Sequence, residues 1–126
     1  MQRDPLHQLA TILKDVVDRT EGSVSGLLMD FDGLPVEHYV RDHVNVDAET
    51  IGAEYSVVLG QIRKAAGMLD AGSAREVAIQ AERLTTVIRL LNEDYFVAIS
   101  LLPGGNVGKA KFLLRTAQDR LLQALA

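Results

Sequence analysis

The sequence contains no cysteine and no tryptophan, and only three prolines. Without cysteine the chain can form neither a disulfide framework nor a thiolate that binds metal or attacks a substrate. The absence also suits a reducing compartment. Hydrophobic residues nevertheless make up 48% of the chain. We therefore predict a core of packed aliphatic side chains that requires no covalent or metal cross-link.

Long apolar runs and an excess of positive charge are missing as well. No stretch reaches the roughly 18 apolar residues of a membrane span, and the N-terminal sequence MQRDPLHQLA lacks the apolar segment of a signal peptide. The 13 Lys+Arg and 17 Asp+Glu residues give a net charge of -4, which offers no electrostatic reason to expect nucleic acid as a partner. We expect a cytoplasmic protein. Its 126 residues suit a single domain, residues 1–126.

Apolar residues at helical spacing predict three helices. The first begins after Asp4, a favourable N-cap, with Pro5 in its first turn. The second begins after Asp47 and ends before Gly72, which we predict to adopt the left-handed conformation of a helix C-cap. The third follows a Pro-Gly-Gly break, and Asn106 is its predicted N-cap.

Five apolar runs predict strands. Residues 23–31 and 34–40 flank Asp32-Gly33, which is a strong hairpin signal. Residues 75–102 contain three runs with short gaps, which predict an antiparallel meander with the run from Arg75 to Ala81 at a sheet edge. The last run is apolar on both sides, so we expect it to be central. The order αββαβββα predicts an α+β fold with a five-stranded antiparallel sheet, the first and third helices on one face and the second helix on the other.

The second helix organises this prediction. Seven of its residues share one apolar stripe, which we expect to lie on the sheet: Ile51, Tyr55, Val58, Ile62, Ala65, Ala66 and Leu69. The opposite side carries small residues, and Ala53, Gly60 and Gly67 recur every seven positions. Since each interior glycine costs a helix roughly 1 kcal/mol relative to alanine, we interpret this side as a contact for another helix. Neutral drift on an exposed face is the alternative.

One helix is too narrow to cover the predicted sheet. A helix is about 10 Å across, whereas strands lie about 4.8 Å apart. A second copy of the chain could complete the cover, and pairing across the edge strand would also protect its open edge. We therefore predict a homodimer. Its predicted interface comprises Ala53, Ser56, Val57, Gly60, Gly67, Val77 and Ile79.

Polar and charged residues frame the small residues of the second helix. A polar rim around a less polar centre is typical of a non-obligate protein interface. We predict that a partner protein contacts Gln61, Arg63, Lys64 and Met68.

The sequence contains no complete motif of a catalytic or cofactor-binding site. The segment PGGNVGKAK has the glycine-lysine pair of a phosphate-binding loop, but Pro103 stands at the first glycine position and Ala110 replaces the required hydroxyl residue. The histidines lack metal-ligand spacing, and we expect His7, His38 and His43 at the surface. We predict no catalytic, cofactor-binding or metal-binding residues. The chain is therefore expected to be a binding or scaffolding protein and not an enzyme.

The hairpin LLMDFDGLPVEHYV, the tail RLTTVIRLLNEDYFVAISLLPGGNVGKAKFLLRTAQDRL and the small-residue central helix together resemble the roadblock family of dynein-light-chain-like proteins. The resemblance covers nearly the whole chain and rests on the order and spacing of short motifs. It implies an αββαβββα domain that dimerises by continuing its sheet across an edge strand and packing the central helices side by side.

The resemblance also implies a function. Members of the roadblock family regulate or scaffold small Ras-like GTPases, and the bacterial gliding-motility member activates its GTPase without supplying an arginine finger. We therefore expect a non-catalytic homodimeric regulator or scaffold of such a GTPase, with allosteric activation as one form of regulation. A structural assembly protein without a GTPase partner and a small-ligand-sensing domain stay open as alternatives.

Overall fold

The computed structural model describes residues 4–42 and 44–126. His43 lies outside the described residues, and His7 and His38 are exposed. The elements have these bounds: α1 Pro5–Arg19, β1 Ser23–Asp30, β2 Pro35–Val40, α2 Ala48–Met68, β3 Glu76–Gln80, β4 Thr85–Leu90, β5 Tyr95–Leu101 and α3 Val107–Leu125. This order confirms the predicted α+β fold.

The five strands form one antiparallel sheet in the order β2-β1-β5-β4-β3. β5 is central, as its two apolar sides predict, because Phe96 and Val97 are both fully buried although they point to opposite faces. β3 lies at one edge, which confirms the predicted position of the run from Arg75 to Ala81. The other edge is β2.

Each face of the sheet has its own hydrophobic cluster. α1 and α3 pack together over one face, where Leu13, Val97 and Leu114 are buried. α2 lies over β1 and β2 on the opposite face, where Leu27 and Phe96 are buried. The predicted division of two helices on one face and one on the other is therefore confirmed. No helix in the described part of the chain is both long and apolar enough to span a membrane.

The helix N-caps lie where the sequence predicts them. The side chain of Asp4 accepts a hydrogen bond from the backbone N–H of Leu6 at 2.9 Å. Asp47 accepts one from the N–H of Thr50 at 3.1 Å, and Asn106 accepts one from the N–H of the third residue after it at 3.0 Å. Each cap satisfies a donor that has no partner within the helix.

The C-cap of α2 differs from the prediction. The helix ends at Met68, and Asp70, not Gly72, takes the left-handed position shortly after it, with φ of 57°. The N–H of Ala71 bonds to the carbonyl of Ala66 at 3.0 Å, and the N–H of Asp70 bonds to that of Gly67 at 3.1 Å. These two bonds form a Schellman motif with aspartate where glycine is usual. Gly72 also has a positive φ, but it lies in the loop beyond the cap.

α2 is rotated about its axis relative to the prediction. Its buried residues are Ala48, Gly52, Ser56 and Leu59. Val58 and Leu69, which were predicted to lie on the sheet, are 41% and 77% exposed. Ser56 was predicted on the outer side as part of the dimer interface, and this placement is wrong, because it is only 5% exposed and lies on the inner side.

The rotation has a steric cause in one glycine. A Cβ atom on Gly52 would lie 2.1 Å from Cδ2 of Leu27 and 3.0 Å from the sulfur of Met29. The backbone of α2 therefore rests directly on side chains of β1 at this position. A hydrophobic pattern assigns little weight to glycine, so the residue that sets the contact face of the helix was missing from the predicted stripe.

Candidate protein interaction site

The outward surface of α2 is more apolar than that of an ordinary solvated helix. Eight large hydrophobic residues are exposed in the described part of the chain, and four of them lie on α2 or at its C-cap: Val57, Val58, Met68 and Leu69. Scattered single apolar residues are normal on a protein surface, but half of the exposed ones concentrate on this one helix. α2 is therefore the leading candidate for an interaction site.

The glycines on the outward side have no packing role inside the protomer. A Cβ atom on Gly60 or Gly67 would have no neighbouring heavy atom within 4 Å. Ala53, which shares their seven-residue spacing, is exposed. These three residues lie away from the sheet, as predicted, and the space above them is open. A second helix at this position stays a prediction.

Contacts with the β1–β2 turn define one flank of α2. Ser56 lies against the β1–β2 turn. A Cβ atom on Gly33 in this turn would be 3.6 Å from the hydroxyl oxygen of Ser56. The guanidinium of Arg63 lies over the ring of Phe31, with 4.2 Å between the guanidinium carbon and the ring centre. Ser56 and Arg63 therefore mark a hairpin flank, the side of α2 turned toward the β1–β2 turn.

The glycines and the exposed apolar residues do not share one flank. At about 100° per residue, Gly60 and Gly67 fall next to Arg63 on the hairpin flank. Val58 and Leu69 fall on the opposite side, which we call the far flank. Val57 and Met68 lie between the two, on the outer crest of the helix. The predicted seam combined Gly60 and Gly67 with Val57 and Met68, whereas the structure places the glycines on the hairpin flank and the two apolar residues on the crest.

The edge strand β3 is a second candidate contact surface, on the sheet face that also carries α2. Val77 and Ile79 pack against the hydrophobic cluster under α2 but are only partly buried. β3 pairs with β4 alone, so the backbone groups on its outer edge have no strand partner among the described residues. An unpaired edge beside half-covered apolar side chains is a template for pairing with another strand.

The four residues predicted to contact a partner do not have equal environments. Gln61, Lys64 and Met68 are exposed on α2. Arg63 is half-buried, because its side chain lies on Phe31. It faces a notch with carboxylates from both hairpin turns, Asp30, Asp32, Glu93 and Asp94.

A larger depression adjoins this notch at the same end of the sheet, and we call it the sheet-end groove. Its volume is about 910 Å³. It lies between the C-terminal half of α2, the loop of residues 70–75, the end of β4 and Gln118 of α3. The cationic residues that line it are Arg63, Lys64, Arg75 and Arg89. Sequence reasoning missed Arg75 and Arg89 because nothing in a sequence pattern indicates that residues of separate elements meet at one end of a sheet.

Local contacts explain the shifted pKa values of two aspartates. The ammonium of Lys14 and the hydroxyl of Tyr39 hold the pKa of Asp18 below its usual value. Hydrogen bonds from Thr50 lower the pKa of Asp47, the N-cap of α2. No group of His, Cys, Asp and Glu side chains among the described residues could hold a metal ion.

The fold has relatives among known proteins. The Roadblock/LC7 domain profile matches residues 9–100. The crystal structure of MglC from Myxococcus xanthus is 34% identical, covers 90% of this chain and 96% of its own, and superposes with a TM-score of 0.66. No curated protein sequence matches the chain.

Two more distant structures share the fold at 17% identity. The gliding protein mglB from Thermus thermophilus covers 98% of this chain and 93% of its own, with a TM-score of 0.86. A Roadblock/LC7 domain from Streptomyces avermitilis covers 90% of this chain and 97% of its own, with a TM-score of 0.72. At this level of identity the likeness concerns the fold alone.

Proposed function

Because this chain belongs to the Roadblock/LC7 family, we propose that it is a non-catalytic, homodimeric regulator or scaffold of a small Ras-like GTPase. The observation that carries the proposal is that one face of the sheet leaves both the apolar outer surface of α2 and the edge of β3 without a partner among the described residues. The roadblock resemblance implies a dimer built from these two elements and a GTPase as the partner of that dimer.

The proposed dimer uses β3 and the far flank of α2. A two-fold axis beside β3 would pair this strand with its own copy in the second protomer and continue the sheet, because a two-fold contact brings the same patch of both copies together. The far flank of α2, with Val58 and Leu69, would then face the partner's α2. The same contact would complete the cover of Val77 and Ile79, which are half-buried in the protomer.

The proposed GTPase surface is the outer crest of α2 and its hairpin flank. Val57 and Met68 supply apolar area at the crest, and Gln61 and Lys64 supply polar groups beside it. The open space above Gly60 and Gly67 would allow a partner backbone to approach closely. Regulation at this surface would act by arranging the catalytic residues of the GTPase itself.

Two measurements test the proposal in sequence. Light scattering coupled to size-exclusion chromatography is expected to give the mass of a dimer at micromolar concentration. A monomer mass would contradict the proposed homodimer. Titration with a small Ras-like GTPase of the same organism, loaded with GDP or with a non-hydrolysable GTP analogue, is expected to show binding that differs between the two states. A dimer that binds neither form would favour the structural assembly protein instead.

A further inference from the structure

The sheet-end groove carries positive charge in an acidic protein. Its lining contains four cationic side chains, Arg63, Lys64, Arg75 and Arg89, against two carboxylates, Asp70 and Glu93. The lining therefore has a formal charge of +2, whereas the whole chain has a net charge of -4. Glu76, which pairs with Arg89, reduces this excess to +1, because four cations then stand against three carboxylates. A local excess opposite in sign to the whole chain attracts an anionic partner.

Two of the guanidinium groups are held in place by the fold. Arg89 donates from Nε to Oε1 of Gln118 at 2.7 Å, and its Nη1 lies 3.7 Å from a carboxylate oxygen of Glu76. Its side chain is only 14% exposed. Arg63 is held by its position over the ring of Phe31. A guanidinium that is already ordered loses less conformational entropy when it binds a carboxylate.

The other two cations have not been neutralised. Arg75 and Lys64 are exposed, and neither forms an ion pair with another described residue. Arg63 likewise forms no ion pair within the described chain, although it shares the adjoining notch with four carboxylates. Three cationic groups of the groove are therefore available to pair with the carboxylates of a ligand.

The origin of the cations favours an extended ligand over a compact anion. They come from three separate elements that border the groove, namely α2, the loop of residues 70–75 and β4, so a ligand that pairs with all of them contacts all three. The helix end that borders the groove is the C-terminus of α2, whose carbonyl dipoles disfavour a concentrated negative charge. Separate carboxylates along a peptide match this arrangement better than one phosphate does.

We propose that the sheet-end groove binds an acidic peptide segment of a partner protein, with carboxylates of the segment paired to Arg63, Lys64 and Arg75, which form no ion pair in the described chain, and with Arg89, which Glu76 and Gln118 hold in place, beside them. The proposal goes beyond the GTPase function, because it concerns a different ligand and adds the end of the sheet to the surface of α2. Arg63 and Lys64 belong to both surfaces, so the test uses a synthetic peptide and no GTPase.

The test is a fluorescence anisotropy titration of the intact protein with a labelled oligo-glutamate peptide. The wild-type protein is expected to bind this peptide and not the oligo-glutamine peptide of equal length, and binding should weaken as salt is added. The double variant Arg63→Gln/Arg75→Gln should bind about tenfold more weakly, because it removes two charge-assisted hydrogen-bond donors. Glu93→Gln should bind more tightly, because it removes a repelling carboxylate.

The matched control is Lys109→Gln/Arg115→Gln on α3, which lowers the net charge by the same amount with exposed residues that form no ion pair in the described chain. It is expected to bind like the wild type. An equal loss in both double variants would overturn the proposal, because only net charge would then matter. Equal binding of the glutamine peptide would overturn it as well. Circular dichroism of each variant checks that the fold is intact. A separate variant, Arg89→Lys, keeps the positive charge and tests whether the fixed guanidinium of Arg89 contributes to peptide binding.

Discussion

Gly52 of α2 lies so close to Leu27 of β1 that a Cβ atom on the glycine would come within 2.1 Å of Cδ2 of the leucine. Real side chains do not approach at that distance, so alanine at position 52 would force the helix or the strand to move. The contact fixes both the height of α2 above the sheet and its rotation. That rotation decides which residues of α2 remain available to a partner.

Gly52→Ala is therefore expected to lower the free energy of unfolding by about 1 to 3 kcal/mol, the usual cost of overfilling a packed site. Gly60→Ala is the matched control, because a Cβ there meets nothing within 4 Å. It should stabilise the protein by up to about 1 kcal/mol through its better helix propensity. Urea unfolding at one fixed protein concentration measures both, and the same sign for both variants would contradict the steric explanation.

Asp70→Gly is expected to stabilise the protein. Asp70 has φ of 57° at the C′ position of α2, where glycine avoids a Cβ clash. Relief of that strain should raise the free energy of unfolding by about 1 kcal/mol. Gly72→Ala provides the opposite control, since Gly72 has φ of 85° in open space and alanine there adds only backbone strain. A thermal melt of the two variants should shift the midpoint in opposite directions.

The stability of the protein should fall with acid in part through Asp18. Its Oδ2 lies 2.6 Å from the ammonium of Lys14, and its Oδ1 accepts a hydrogen bond from the hydroxyl of Tyr39 at 3.0 Å. These contacts hold the pKa of Asp18 below its usual value of 3.8. A group whose pKa is lowered by folding stabilises the protein above its unfolded pKa, and the contribution is lost as pH falls through the folded pKa.

The stability advantage of the wild type over Asp18→Asn should therefore shrink as pH falls from about 6 to about 2. Asp119→Asn is the control, because Asp119 is exposed on α3 and forms no ion pair among the described residues. The difference in urea midpoint between the wild type and Asp119→Asn should change less over the same range, because Asp119 has no contacts like those of Asp18. Urea midpoints at each pH measure both differences, and an Asp18→Asn difference that grew in acid would contradict the sign of this linkage.

The elements whose position depends on local chemistry could be predicted from the sequence. Asp4, Asp47 and Asn106 cap the helices because a short polar side chain satisfies the first backbone donors, and this preference acts within a few residues. The central position of β5 also followed from its own composition. These features require no knowledge of distant contacts.

The rotation of α2 and the sheet-end groove could not be predicted in this way. The rotation depends on Gly52 meeting Leu27, which lies in another element. The groove depends on Arg63, Arg75 and Arg89, which only the sheet topology brings to one end. Ser56 illustrates the consequence, because its small size suggested an outward seam, whereas it is buried beside the β1–β2 turn.

Charge reversal on α2 should weaken binding of the proposed GTPase. Lys64→Glu changes an exposed residue beside the outer crest, and a rim charge acts mainly on the rate of association. Arg115→Glu on α3 makes the same change of charge on the opposite face of the sheet and should have a smaller effect. Stopped-flow association at low and high salt compares them. A loss confined to Arg115→Glu would place the GTPase on the face of α1 and α3.

Two substitutions on α2 test which of its flanks forms the proposed dimer. Leu69→Glu places a charge on the far flank, where the leucine is 77% exposed in the protomer. Burying that charge in the proposed dimer contact is costly, so the protein should dissociate to monomers while its helix content is kept. Phe112→Glu, on an exposed apolar residue of α3, should leave the dimer intact.

Gly60→Leu distinguishes the two flanks directly. A leucine on the hairpin flank meets no atom of its own protomer, since a Cβ at Gly60 has open space around it. If the far flank forms the dimer, this variant should remain a dimer and lose affinity for the GTPase. If the small residues Ala53, Gly60 and Gly67 form the dimer contact, as the sequence pattern suggested, the bulky side chain should separate the protomers. Light scattering of Gly60→Leu and Leu69→Glu at the same concentration decides between the flanks. If only Gly60→Leu dissociates, the dimer contact lies on the glycine side of α2 and not on the far flank.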